Sequence, residues 1–211
     1  MGRGSEGPFA RLALLGVALL MGGCALVSLR GPSQAAWEAR QALLKQIDTF
    51  TLKARISAGL LAPTGNLVWR QDKDAYELRV AGPFGMGAMS IAGGKGRVEV
   101  QTSKERLTGK DPEQVLHDRL GWEFPVMHLR SWVVGLPAPG SKADIELDDE
   151  GRIETLEQDG WKLAYDEYMS NGRVDLPRKL VLSNPDVKIK VVVDEWSGVT
   201  AAGASPARDG R

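Results

Sequence analysis

The sequence predicts a mainly β protein: an incomplete antiparallel β-barrel of about eleven strands, with a helical lid over its mouth and an apolar cavity inside. Three observations predict it. From Phe50 onward apolar and polar residues alternate with period two in short runs. The runs are separated by hairpin turns such as Asp72-Lys73-Asp74 and Gly93-Gly94-Lys95-Gly96. Three segments with helical spacing, 34–48, 111–121 and 125–134, are available to cover the apolar face that such a sheet leaves on one side.

The chain opens with Arg3 and Arg11, an apolar run from Leu12 to Met21, then Gly22 and Gly23 before Cys24, the one cysteine in 211 residues. This is the layout of a secretory signal, and also that of a bacterial lipoprotein signal, which would be cut before Cys24 and leave that residue acylated. The run is half the length that a spanning helix needs. An ordinary signal peptide, or a buried free cysteine, is the alternative. Three acyl chains, at about 0.8 kcal/mol per buried CH₂, would anchor the protein firmly. Met21 stands where such signals usually carry leucine. Residues 1–23 are thus expected to be signal peptide and 24–33, with Gly31, Pro32 and Ser33, a lipidated tether.

Ser33 is placed to cap a helix over 34–48, with Trp37, Leu43, Leu44 and Ile47 on one face. Phe50, Leu52, Ala54, Ile56, Ala58 and Leu60 then alternate with polar residues as a first strand. Further strands follow around Leu67–Gln71, Tyr76–Val80, Met89–Ile91, Val98–Val100 and Leu107. Asp111 is a good N-cap with Pro112 at the first helical position and Gln114 placed to close a capping box. Val115, Leu116 and Leu120 form that helix's stripe. A second helix starts near Pro125, carries Val126, Leu129, Trp132 and Val133 at spacings of three and four, and stops at Gly135-Leu136-Pro137. Strands resume at Ile145 and Leu147, then at Arg152–Gln158, Trp161–Tyr165, Leu180–Leu182 and Val187–Val193. The barrel domain is set at 34–196, and the Ala/Gly/Ser-rich 197–211 reads as a disordered tail.

Without residues 1–23 the chain has 25 basic and 26 acidic residues, so nothing points to nucleic acid, which needs a concentrated basic footprint. With its cysteine committed to lipid, the domain has no internal disulfide and must hold by packing. His117 and His128 lack ligand spacing or a cysteine partner, so no metal or cofactor is expected. No G-x-S-x-G elbow and no P-loop occurs. The acidic stretch Asp144–Glu150 lacks the Ca²⁺-loop pattern and reads as strand plus turn. No catalytic set emerges.

Six tryptophans, with Tyr76, Tyr165 and other large apolar residues, either fill the core or line a cavity for a hydrophobic ligand. Trp69, Tyr76, Leu129, Trp132, Trp161 and Tyr165 are the candidate lining. Pro83, Phe84, Gly85 and Met86 form an unusual loop, apolar where turn chemistry selects polar residues. It is either an exposed tip that enters a bilayer or partner, or a bend tucked into the core.

These residues resemble the outer-membrane lipoprotein receptor family LolB. The resemblance covers nearly the whole mature domain: Trp69-Arg70-Gln71 with Tyr76-Glu77-Leu78; Gly82-Pro83-Phe84-Gly85; Leu120-Gly121-Trp122 with Phe124-Pro125-Val126; Gly160-Trp161-Lys162-Leu163-Ala164-Tyr165 with Tyr168; and Leu176-Pro177-Arg178-Lys179-Leu180. Its most specific segment is Leu129-Arg130-Ser131-Trp132-Val133-Val134-Gly135-Leu136-Pro137. The resemblance implies an unclosed barrel with a helical lid and a cavity for acyl chains. It implies a receptor, not an enzyme, that takes client lipoproteins from the periplasmic carrier LolA and inserts them into the outer membrane. The family's membrane-insertion loop maps onto Phe84, with phenylalanine in place of the usual leucine. Ala25, lacking the aspartate that retains lipoproteins in the inner membrane of enteric bacteria, implies the outer membrane, on its periplasmic face. A monomer is expected. Two other readings stand beside this one: a passive structural lipoprotein whose barrel is filled by its own side chains, and a periplasmic enzyme acting on lipid or glycan.

Overall fold

The eleven strands of the described residues lie in one antiparallel sheet, in the order β6-β5-β4-β3-β2-β1-β11-β10-β9-β8-β7. The structure is a computed structural model and describes residues 32–58, 64–120 and 125–201. Cys24, Trp122 and Phe124 lie outside the described residues, as do the signal and most of the expected tether. Two meanders make up the sheet. The first is β1 (Ile47–Ala58), β2 (Gly65–Asp72), β3 (Ala75–Ala81), β4 (Met89–Gly94), β5 (Arg97–Thr102) and β6 (Arg106–Gly109). The second is β7 (Ala143–Leu147), β8 (Ile153–Gln158), β9 (Trp161–Ser170), β10 (Asp175–Ser183) and β11 (Lys188–Ala201). The long β1–β11 ladder, from Ile47 opposite Ala201 to Ala58 opposite Ile189, joins them.

Alternation decides the faces, as period two requires. Phe50, Leu52 and Ala54 of β1 are buried, while Lys53 and Arg55 point outward to Glu195 and Asp194 of β11 at 2.9 and 2.8 Å. Such exposed pairs contribute little each, but they mark the solvent face. Between the meanders run α2 (Pro112–Leu120) and α3 (Val126–Val133), and α3 buries Val126, Leu129, Trp132 and Val133 against the sheet's apolar face. Because strands alternate in direction, the sheet has two ends. The β1–β2, β3–β4 and β10–β11 connections lie at one, here the loop end. The β2–β3, β4–β5 and β7–β8 turns lie at the other, together with α1 (Pro32–Leu44). There the α1 backbone presses on Gly151, where an added Cβ would stand 2.6 Å from the Ser33 carbonyl and 2.7 Å from the Trp37 nitrogen.

Several boundaries differ from the sequence expectations. The first helix starts at Pro32 and ends at Leu44, so Ser33 lies in its first turn and is no cap. Leu43 is 41% exposed, and Trp37 and Leu44 alone among the apolar residues predicted for its inner face make that face. Ile47 fits the helical stripe and is out of phase with Phe50, Leu52 and Ala54, but pairing opposite Ala201, across register shifts at Thr49 and Thr51, places it in β1. The domain also extends past Trp196: Ser197–Ala201 belong to β11, held by the ladder partners Thr51, Thr49 and Ile47. Asp111 does cap α2, its carboxylate accepting from the Glu113 and Gln114 nitrogens at 3.0 and 3.3 Å. Gln114 closes no capping box, its side-chain amide donating instead to Asp118 at 2.8 Å.

Candidate functional site

The space between α3 and the curled sheet holds a cavity of about 220 Å³. Its walls come from β1–β4, β10 and β11 on one side and from Leu129, Trp132 and Val133 on the other, and every described lining residue is apolar. The rim is legible from exposure. Deep residues such as Trp69, Leu78, Ile91 and Leu182 are buried, whereas Ile56, Val80, Met89 and Ile189, nearer the loop end of their strands, are half-exposed. The cavity therefore opens at the loop end. Below it, Phe50 meets Trp69 and Trp196 edge-on at centroid distances of 5.6 and 5.2 Å and closes the floor.

Two devices fix the helix that forms the inner wall. Its C-terminus is a Schellman motif, in which Gly135 at φ +84° donates to the Trp132 carbonyl and Leu136 donates to the Ser131 carbonyl, both at 3.0 Å. The second is a buried polar clamp. The Gln158 side chain, 3% exposed, accepts from Trp132 Nε1 and the Ala138 nitrogen, and donates to the Ala138 carbonyl and Ser141 Oγ, each at 2.9 Å. Tyr165 adds a bond from its hydroxyl to the Trp132 carbonyl at 2.8 Å. Burial pushes the Tyr165 phenol well above its ordinary value, so it stays a neutral donor.

Of the residues the sequence put forward as lining, Trp69, Leu129 and Trp132 face this cavity. Tyr76 stands at the other end of the sheet, beside a separate pocket. Trp161 flanks a surface cleft with His117, His128 and Asp159, and Tyr165 is packed solidly beneath Trp132. Aliphatic residues not singled out, among them Leu78, Ile91, Leu180, Leu182 and Val191, make most of the wall. Strand parity marked them as inward. Gln158 was missed as well; its signal is a polar residue in register with the buried Leu156.

The loop after β3 is a closed knob of backbone hydrogen bonds. Gly82 donates to the Met86 carbonyl at 2.9 Å, Gly85 to Gly82 at 3.1 Å and Met86 to Pro83 at 3.2 Å around a single 3₁₀ turn, Pro83–Gly85. Gly85 and Gly87 take positive φ, and at Gly82 a Cβ would stand 2.9 Å from the Met86 carbonyl. Pro83, Gly85 and Met86 are all exposed, Met86 at 65%. The side chain of Phe84 lies outside the described residues.

A family model described as outer membrane lipoprotein LolB matches residues 49–196, a span that takes in the cavity, its helix and the loop. Among curated relatives, the outer-membrane lipoprotein LolB of Pseudomonas aeruginosa is 36% identical over 194 residues, covering 88% of this chain and 94% of the relative. That of Pseudomonas putida is 36% identical over 187 residues, covering 84% and 90%. Among solved structures, a LolA superfamily protein from Nitrosomonas europaea is 7% identical with a TM-score of 0.50 over 78% of this chain and 92% of its own, a likeness of fold. By the family match and the identity over most of its length, the chain belongs to the outer membrane lipoprotein LolB family.

Proposed function

We propose that this protein is an outer-membrane receptor that accepts lipoproteins from the periplasmic carrier LolA, holds their acyl chains in the apolar cavity and inserts them into the membrane. The observation that carries this reading is the coincidence at one end of the molecule of an all-apolar cavity mouth and an exposed loop bearing Met86 at its tip. Cys24, lipidated, is the anchor, and the protein works as a monomer without a chemical step.

Transfer then runs on differences in burial. Each CH₂ moved out of water is worth about 0.8 kcal/mol, so cavity and carrier compete for the same large term and direction comes from the remainder. Roughly 1.4 kcal/mol in favour of the receptor gives a tenfold bias. At 220 Å³ the resting cavity is somewhat larger than one of about 150 Å³ that takes up benzene, enough for part of one acyl chain. Whole chains need α2 and α3 to move outward. Among its described side chains α2 buries only Leu116, so it is the helix that yields first. The bilayer is the final sink, and the Pro83–Met86 loop, with Phe84, eases entry.

The test mixes LolA carrying a labelled lipoprotein with the mature chain bearing Cys24→Ala, whose described residues share one core. Label is expected on this protein after pull-down. Label staying on a competent carrier refutes the receptor reading. The anchored Phe84→Glu protein should still accept the label but fail to deliver it to membranes, and normal delivery would remove the loop from the mechanism.

A further inference from the structure

A second pocket, of about 390 Å³, lies at the opposite end of the sheet, between the β2–β3 and β4–β5 turns and the two helices. Its volume is within the range of small-molecule sites. Its chemistry is unlike that of the main cavity. Among the described lining residues, Lys95, Arg97, Lys110 and Arg130 stand around it, against one carboxylate, Asp74. Asp74 reaches Arg130 only at 3.9 Å, and no ion pair holds Lys95, Arg97 or Lys110 among the described residues. Elsewhere on the solvent face cations pair with carboxylates across the strands, as in Lys53–Glu195, Arg55–Asp194 and Lys162–Glu157. Here, among the described lining residues, three positive charges are left over, with Asp72 and Glu99 on the adjoining cleft that Lys95 and Arg97 also line.

The remainder of the pocket is apolar or amphipathic. Trp69 and Val126, both buried, form its inner wall, and Met127, 57% exposed, overhangs it from α3. Tyr76 sits over Gly93, whose missing Cβ makes room for the ring, and its hydroxyl has no hydrogen-bond partner among the described residues. A surplus of cations around an aromatic and aliphatic wall suits neither a free inorganic ion, which has no use for the wall, nor a neutral lipid, which has no use for the charges.

We propose that this pocket binds the phosphate-bearing headgroup of an anionic amphiphile, with Lys95, Arg97, Lys110 and Arg130 on the phosphate and the first carbons of the tail against Trp69 and Met127. Trp69 also lines the main cavity, so its indole is the partition between the two. Its Nε1 donates to Gln71 Oε1 at 3.1 Å, and the Gln71 amide is tied to the Lys73 and Ala75 carbonyls, which holds the partition in place. The site goes beyond the receptor reading and does not depend on it.

The experiment titrates the mature Cys24→Ala chain calorimetrically with three ligands: myristoyl lysophosphatidylglycerol below its micellar concentration, monomyristoylglycerol and inorganic phosphate. The lysophospholipid is expected to bind at least roughly tenfold more tightly than either of the others, a step that charge-assisted hydrogen bonds readily supply. Lys95→Gln/Lys110→Gln, at two exposed positions, should remove that preference with Tm unchanged and monomyristoylglycerol binding unaltered. Lys95→Glu/Lys110→Glu should lower lysophospholipid affinity further. Equal binding of the charged and neutral lipids, or a preference that survives both double variants, overturns the proposal. Inorganic phosphate binding as tightly as the lysophospholipid also overturns it, leaving a plain anion site.

Discussion

Replacing Gln158 by leucine tests what holds the cavity's inner wall. Leucine matches much of the shape of the side chain but returns none of its four hydrogen bonds at 2.9 Å. The indole N–H of Trp132 and the N–H of Ala138, both in buried residues, then lose their acceptor, and the Ala138 carbonyl loses its donor. A buried polar group left unsatisfied costs about 1–3 kcal/mol. Three such groups, offset by about 1–2 kcal/mol from the leucine's own burial and by partial relaxation, leave a net loss of about 2–4 kcal/mol. Urea unfolding followed by tryptophan fluorescence reads this as a lower midpoint at constant slope. The same variant should take up a fluorescent fatty acid less well, because Trp132 is a cavity wall. A loss under about 1 kcal/mol, with acyl uptake unchanged, would refute the clamp and assign α3's position to apolar packing alone.

Val191→Phe places a ring in the cavity, where Val191 is 8% exposed; fatty-acid uptake should fall at least roughly tenfold while Tm changes little, and undiminished uptake would show that acyl chains bind elsewhere. Gly151→Ala drives a Cβ into the α1 backbone at a residue with φ +72°, so unfolding free energy should drop by about 2–4 kcal/mol; a neutral result would show that α1 is free to move away. Burial raises the Asp148 carboxyl, but hydrogen bonds from the Arg152 backbone and guanidinium, at 2.8 and 2.7 Å, outweigh it and hold the group below its ordinary value. A depressed carboxyl contributes stability that is present above about pH 4 and lost as pH falls through the folded-state value. The Tm gap between wild type and Asp148→Ala should therefore be steady near neutrality and shrink in acid, and a gap that stays constant down to about pH 2 would contradict this.

The strands were legible because each half-buried sheet residue carries its own face in its parity, and Phe50-Leu52-Ala54 against Lys53-Arg55 is the plainest case. α3 was legible for a similar reason, with four apolar residues at helical spacing and Gly135 at the stop. What failed were features set by distant partners. Ser197–Ala201 look like a tail by composition and become strand only because Ile47–Thr51, far away in sequence, offer a ladder. The same holds for the site. Parity shows that Trp69, Trp161 and Tyr165 point inward, but lining depends on where α3 rests along the sheet, so Trp69 faces the cavity while Tyr165 lies packed under Trp132. The loop was conspicuous in the sequence because a proline and large apolar residues among glycines suit neither a core strand nor an ordinary turn.

The sheet ends in two short edge strands, β6 of four residues and β7 of five, which do not pair with one another. In a closed barrel, girth is fixed by strand number and stagger, and widening it means breaking a ladder. Here there is a seam, and the chain crosses it as α2 and α3. The circumference is free to grow by parting β6 from β7, with every strand-to-strand hydrogen bond kept. With α2 packed on β5 and β6 and α3 laid against the apolar face, a shift of these helices changes the space that the sheet encloses while its ladders stay whole.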